Sequence, residues 1–295
     1  MTEEDSYESF TLVLAGGGAR GFAHAGILRA LESEGLQPDA IVGVSMGAVV
    51  GTTYGLRKNW YSELVELDTS QFPKPMSPQK RKTTSFLTWI GDFYTYLRLV
   101  LTFFLGWGVS ETIYRHSLRI LKELTHGKKL EETRIPVVVC ATDLKSGSRV
   151  DLRSGPTADA VLASASIAGV FPPQRRGDQL LIDGAYADMA PVDVASEFSA
   201  EKVVVVDPSQ SLSSTEVRNG LQAILRAVEI CQMRHADLRF EKADCVLRPE
   251  FDRTIDTFDF DSKRDCVAAG IRSVRKNRDD LKQVLETSSQ AGRIH

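Results

Sequence analysis

Ile41-Val42-Gly43-Val44-Ser45-Met46-Gly47-Ala48-Val49-Val50 is the stretch on which the reading of this chain turns. A short apolar run ends at Ser45, a small-residue helical pattern begins directly after it, and glycines stand two places to either side. This is the G-x-S-x-G spacing of a nucleophile elbow, a strand-to-helix turn so tight that only glycine fits at its flanks. Such a turn pushes the serine hydroxyl out above the sheet. The helix that follows aims its positive N-terminal end at any oxyanion formed there. Glycine and serine recur in ordinary turns, so the meaning of these residues depends on the rest of the chain.

Upstream, Phe10 to Ala15 reads as a buried strand that runs straight into Gly16-Gly17-Gly18-Ala19-Arg20-Gly21. A helical pattern follows, with Ala23, Ile27, Ala30 and Leu31 on one face and Gly35 as its stop. Ala40 to Val44 is the second strand and Met46 to Leu56 the second helix. Strand, glycine loop, helix, strand, serine, helix is the grammar of a parallel α/β sheet.

Downstream, further strands are expected at Ile135 to Thr142, Arg149 to Arg153, Gln179 to Ile182, Lys202 to Val206 and Asp244 to Leu247. Helices are expected at Ala158 to Ala165, Pro191 to Phe198 and Thr215 to Phe240. A single last helix over Lys263 to Glu286 would place Val267, Ile271, Val274, Leu281, Val284 and Leu285 on one stripe. The expected fold class is α/β: one domain over 8–295 with a parallel-rich central sheet flanked by helices, the C-terminal helices of 215–295 packing on the core.

One segment departs from this rhythm. Pro73, Pro75 and Pro78 lead into the basic Lys80-Arg81-Lys82, and Phe86 to Val109 is strongly apolar and aromatic. Asp92 and Arg98 interrupt that run, whose longest uncharged stretch falls short of the ~20 residues a spanning helix needs. The expectation is a helical apolar insertion at about 72–110, either a core helix pair or a lipid-facing cap.

The 295 residues are 42% hydrophobic and 25% charged, enough apolar mass for a sizeable core. A net charge of -3 excludes a general nucleic-acid binder, which is strongly basic. Cys140, Cys231, Cys245 and Cys266 are scattered without a C-x-x-C pair, so buried free thiols are expected. The five histidines do not pair with cysteines or carboxylates at ligand spacing, so neither a metal nor any cofactor is expected. The acidic start Met1-Thr2-Glu3-Glu4-Asp5 has no basic and apolar leader pattern, and the expectation is a cytoplasmic chain.

The glycine loop admits three chemical readings. As G-x-G-x-x-G (Gly16, Gly18, Gly21) it matches a dinucleotide fingerprint, but the second strand ends at Ser45 rather than at the acid that would hold a ribose. A P-loop needs a following Gly-Lys-Ser/Thr, which is missing. The third reading is an oxyanion loop, in which consecutive glycines leave backbone N–H groups free to converge on one point. An elbow serine on the adjacent strand favours that one.

A nucleophilic serine needs a base. His116, His126, His235 and His295 follow Ser45, and none ends a strand. His235 sits mid-helix, and His24 precedes the serine, against the Ser-acid-His order of an α/β-hydrolase. Asp183 ends an apolar strand, and Gly184 lets the chain turn sharply there. In a parallel sheet it would share a crevice with Ser45, although taken alone Asp183 equally suits a turn cap.

Gly16-Gly17-Gly18-Ala19-Arg20-Gly21, Gly43-Val44-Ser45-Met46-Gly47 and Asp183-Gly184-Ala185, in this order, resemble the three signature blocks of the patatin-like phospholipases. The resemblance covers about Thr11 to Asp207 and includes Ala163-Ser164-Ala165-Ser166 and Phe171-Pro172-Pro173; Ala168 stands where that block usually carries proline. Chain size and Ala141-Thr142-Asp143-Leu144 are most similar to small stand-alone bacterial members. The resemblance implies a three-layer fold and a carboxylic ester hydrolase acting on lipid acyl esters through a Ser45–Asp183 dyad. It implies an oxyanion hole drawn from Gly16, Gly17, Gly18, Arg20 and Met46, with Arg20 ordering the loop. The substrate expected is a lipid or other acyl ester, with peripheral contact to an inner membrane surface through 80–109. A triad esterase using His235 and a non-catalytic lipid-binding protein on the same fold remain the rival expectations.

Overall fold

The computed structural model describes residues 8–70, 72, 111–198, 200–210, 217 and 220–286. Apart from Phe72, the insertion expected at 72–110, and with it the membrane-facing segment 80–109, lies outside the described residues.

The strands are β1 (Phe10–Leu14), β2 (Ala40–Val44), β3 (Val137–Asp143), β4 (Arg149–Leu152), β5 (Gln174–Arg176), β6 (Gln179–Asp183), β7 (Lys202–Val206) and β8 (Cys245–Leu247). They form one sheet with the hydrogen-bonded order β5-β6-β3-β2-β1-β7-β8, and β4 adds to β3. β8, β7, β1, β2 and β3 run parallel, whereas the β3–β4, β3–β6 and β5–β6 pairs are antiparallel. Their valine- and isoleucine-rich runs suit strands buried on both faces. Leu12, Leu14, Ile41, Val139 and Val204 point into one apolar layer, and Val13, Val42, Val44, Val138 and Val205 into the other.

Helices cover both layers. α1 (Ala23–Ser33), α2 (Met46–Leu56), α3 (Trp60–Val65), α4 (Glu111–Thr125) and α5 (Thr157–Ser164) contribute to the first core. α6 (Val192–Ala195) and α7 (Gly220–Phe240) cover the second, with Val192, Val194, Ala236 and Phe240 buried there. α8 (Lys263–Lys276) and α9 (Arg278–Leu285) return to the first face. α1 and α8 approach backbone to backbone: a Cβ on Gly26 would lie 2.0 Å from the Val267 carbonyl oxygen, and one on Gly270 would lie 2.1 Å from that of Ala23. The result is a three-layer α/β fold.

Some expectations need correction. The last helix is two, because the Asn277 side-chain amide and backbone N–H both donate to the Ser273 carbonyl, at 2.8 and 3.1 Å, and the chain restarts at Arg278. Val267, Val274, Leu281 and Leu285 still face the core. Cys140 and Cys266 are buried, but Cys231 is exposed on the solvent side of α7 and Cys245 is partly exposed. β5, α3 and α4 have no counterpart in the sequence reading.

The correction that matters for function concerns β6. It is not a parallel strand whose end shares the common edge. β2 and β4 both pair with Val139 and Cys140, so they occupy opposite edges of β3. β6 pairs with Ala141, Thr142 and Asp143, overlapping β4, so it takes the same edge as β2 and begins where β2 leaves off. The C-terminal tips of β2 and β6 therefore meet head to head beside β3.

Candidate active site

Ser45 follows β2 with φ 53 and ψ -120, a left-handed conformation that costs a non-glycine residue about 1–3 kcal/mol. The flanking glycines provide room. A Cβ on Gly43 would lie 2.7 Å from Ala48 Cα, and one on Gly47 would lie 2.1 Å from the Leu14 carbonyl oxygen. The strained turn is held by a side chain from α5: Ser45 N–H donates to Ser164 Oγ at 2.8 Å, and Ser164 Oγ donates to the Cys140 carbonyl at 2.6 Å.

Across the junction of the two strand tips, Ser45 Oγ donates to Asp183 Oδ2 at 2.6 Å. Asp183 Oδ1 accepts from Ala185 N–H at 2.9 Å, its own N–H donates to the Ser166 carbonyl, and its carbonyl accepts from Thr142 Oγ1 at 2.8 Å. The carboxylate is 4% exposed. Burial raises its pKa to about 6, against the opposing pull of the hydrogen bonds from Ser45 and Ala185. The group is thus ionised near neutrality and protonates under mildly acidic conditions.

No histidine among the described residues hydrogen-bonds Ser45 or Asp183. His24 is fully buried with Nε2 2.8 Å from the Ala15 carbonyl oxygen, and burial lowers its pKa to about 4. His235 is partly buried on α7, the helix that covers the opposite face of the sheet from α2.

The glycine loop divides by the bonds its amides make. Gly16 N–H donates to the Met189 carbonyl at 3.2 Å, which removes it from the expected oxyanion donors. Ala19 N–H donates to the Thr257 carbonyl at 2.8 Å. The N–H groups of Gly17, Gly18 and Met46 have no partner among the described residues. Gly18 has φ +54, and Met46 is the first residue of α2, so its amide belongs to the positive end of that helix. Arg20 Nη1 donates to the Ile255 carbonyl at 3.3 Å, which ties the glycine loop to the loop after β8. Burial lowers the Arg20 pKa, partly offset by Glu229 and Asp256.

Ser45 opens onto an apolar crevice of about 730 Å³, its mouth included. Met46, Val49, Ile120, Leu124, Phe171 and Phe258 are among its walls, and no charged side chain lines it among the described residues. The arrangement sets a serine hydroxyl against a buried carboxylate, with unpaired backbone N–H groups and an apolar wall nearby, a combination chemically suited to acyl transfer to serine. Among the described residues there is no cluster of three or more metal-ligating side chains.

Residues 12–196 match the model of the family described as patatin-like phospholipase. The chain belongs to this family. It is 32% identical over 198 residues to a patatin-like phospholipase domain-containing protein of Caenorhabditis elegans, covering 66% of this chain and 13% of that protein. It is 29% identical over 201 residues to human patatin-like phospholipase domain-containing protein 6, covering 68% of this chain and 13% of that one. A lysophospholipase of Cryptococcus neoformans is 32% identical over 197 residues, 66% of this chain and 11% of its own length. The chain thus spans about an eighth of the curated relatives it matches. Among solved structures, VipD from Legionella pneumophila superposes with TM-score 0.48 at 14% identity, over 92% of this chain and 67% of that one. ExoU of Pseudomonas aeruginosa, in complex with SpcU, gives TM-score 0.45 at 13% identity, over 95% and 53%.

Within this patatin-like frame, sequence reasoning missed Ser164, Thr142 and Thr257. Ser164 stands in the Ala163-Ser164-Ala165-Ser166 block, and a serine in an otherwise apolar helical end was its available signal. Thr142 reads as an ordinary strand residue, and Thr257 lies 239 residues from Gly18, beyond the reach of any local pattern.

Proposed function

We propose that this chain is a lipid acyl hydrolase of the phospholipase A or lysophospholipase type, working through a Ser45–Asp183 dyad. The observation that carries the reading is the 2.6 Å contact from Ser45 Oγ to the buried Asp183 carboxylate, at the edge of an uncharged apolar crevice. The acyl chain lies in the crevice and its carbonyl carbon faces Ser45. Asp183 accepts the hydroxyl proton as Oγ attacks, and the tetrahedral oxyanion forms against the N–H groups of Gly17, Gly18 and Met46. Losing one such donor costs about 3 kcal/mol of transition-state stabilisation. Collapse expels the alcohol, which takes the proton from Asp183. The same carboxylate then draws a proton from water as its oxygen attacks the acyl-serine carbonyl; collapse breaks the Ser45 Oγ–acyl bond, Asp183 returns the proton to Oγ, and the fatty acid leaves.

The test is labelling with a fluorophosphonate together with turnover of a lysophospholipid. Ser45→Ala should abolish both, and Asp183→Asn should lower turnover by at least 100-fold. Near-normal turnover by Asp183→Asn would remove the dyad from the mechanism. Peripheral contact with an anionic membrane through 80–109 belongs to the same proposal. Among the described residues no helix is long and apolar enough to cross a membrane. Failure of the chain to float with anionic vesicles would refute the contact.

A further inference from the structure

The elbow serine, the glycine loop and Asp183 all fall within 12–196, the stretch that matches the family. One wall of the crevice does not. Thr257, Phe258 and Phe260 come from the loop between β8 and α8. That loop is fastened to the glycine loop at one end. The Thr257 carbonyl accepts from Ala19 N–H, and it lies so near Gly18 that a Cβ there would sit 2.5 Å from its oxygen. The Ile255 carbonyl accepts from Arg20, while the Gln210 side chain accepts from Ile255 N–H and donates to the Arg253 carbonyl, both at 2.9 Å. Beyond Thr257 the loop carries Phe258 along the crevice and ends at Phe260, whose ring meets Phe72 edge-on at 4.9 Å between centroids. The wall therefore starts beside the glycine loop and continues along the same crevice onto which Ser45 opens, where the reading above lays the acyl chain.

We propose that Phe258 and Phe260 are specificity-determining residues that select a linear aliphatic acyl chain over a short one, so that chain-length preference is set outside the family's signature region. This rests on the acyl-hydrolase reading above. Each methylene that gains apolar contact adds about fourfold to kcat/KM, and each that loses its wall forfeits a similar factor. A purely structural role would depress all substrates alike, whereas a wall acts on long chains selectively.

The experiment measures kcat/KM of the full chain for p-nitrophenyl esters from butyrate to dodecanoate. Phe258→Ala and Phe260→Ala should lower the dodecanoate-to-butyrate ratio about tenfold or more, and Phe258→Leu, which keeps much of the apolar volume, should restore most of it. Ile224→Ser, at an exposed position on α7, is the surface control and should leave the ratio unchanged. Both phenylalanines are partly exposed, and melting curves check that the variants fold. An unchanged ratio in both alanine variants, or an equal loss at every chain length, overturns the proposal. A parent chain that a fluorophosphonate fails to label overturns the hydrolase reading itself, and the wall's role with it.

Discussion

Gly184 lies against the carbonyl of Cys140 so closely that a Cβ added to it would sit 2.2 Å from that oxygen. Gly184 does not have positive φ, so what the position demands is space. The close approach seats the tip of β6 on the edge of β3 that β2 has just left, and so brings the Asp183 carboxylate to the Ser45 hydroxyl. Gly184→Ala must push that tip outward. Displacement by about 1 Å at a reacting pair costs about 100-fold in rate, and the overpacked contact costs about 1–3 kcal/mol of stability. Ester turnover and thermal melting would read both losses. Gly220→Ala, where an added Cβ meets nothing within 4 Å among the described residues, is the control and should be silent. Full activity in Gly184→Ala would mean that the carboxylate reaches the serine without this contact.

The pH dependence follows from Asp183. Its carboxyl titrates near 6 because it is buried. In the proposed mechanism it acts ionised, so kcat/KM should be level above neutrality and fall about tenfold per pH unit below 6. The stability effect has the opposite sense. The folded state holds this proton more tightly than the unfolded state between about pH 4 and 6, so stability falls as pH rises through that window and is level above it. Asp183→Asn carries no charge to desolvate. At pH 7.5 it should be more stable than the parent by on the order of 2 kcal/mol, with the two converging near pH 4. Equal stabilities at both pH values would show that the carboxylate is not held against its burial.

Much of this was legible in the residues because buried parallel strands announce themselves. The strands Ala40–Val44 and Lys202–Val206, and the helix Met46–Leu56 after the first of them, end where their composition says they end. The meeting of Ser45 with Asp183 was readable because Ser45 follows an apolar strand with glycines two places to either side and Asp183 ends another, next to Gly184. What the pattern could not carry was direction and distance. A strand's composition is the same whether it runs parallel or antiparallel, so β6 was misread although its end residue was not. Which amides of the glycine loop stay free is likewise a tertiary matter: Gly16 looks like Gly17 until Met189 arrives to accept its N–H. The break at Asn277 escaped for a local reason, since the apolar stripe continues in phase across it.

Ser164 provides a sharper test of how the elbow is held. It accepts from Ser45 N–H and donates to the Cys140 carbonyl, and it is fully buried. Ser164→Ala leaves one donor and one acceptor stranded in the core, at about 1–3 kcal/mol each when no water replaces the hydroxyl. Because the Ser45 amide anchors a strained φ, the loss should reach the chemistry too. The expected result is a melting temperature several degrees lower and a kcat reduced by more than the change in KM. Equal activity in parent and Ser164→Ala would show that the glycine flanks alone hold the elbow.

Asp188 offers a prediction in which stability and chemistry separate. Its carboxylate, 1% exposed, accepts from Arg149 Nη1 on β4 and pairs with Arg239 Nη2 on α7, both at 2.7 Å, and Ala190 N–H donates to it at 3.2 Å. Its own N–H donates to the Gly184 carbonyl at 3.0 Å, so one residue joins the turn after Asp183, the antiparallel strand and α7. Arg149 keeps Asp151 and Asp193 if Asp188 loses its charge, whereas Arg239 keeps only the 3.5 Å pair to Asp193 among the ion pairs of the described residues. Asp188→Asn should therefore destabilise the fold by about 3 kcal/mol, mainly through the guanidinium left without its partner. Adding Arg239→Gln removes that unmatched charge and should recover part of the loss, giving a coupling energy of 1 kcal/mol or more by double-mutant cycle. Urea unfolding measures the four species. Turnover below the melting transition should change far less than stability, because neither residue touches Ser45 or Asp183. A cost under about 0.5 kcal/mol for Asp188→Asn would reduce the cluster to a solvated surface network.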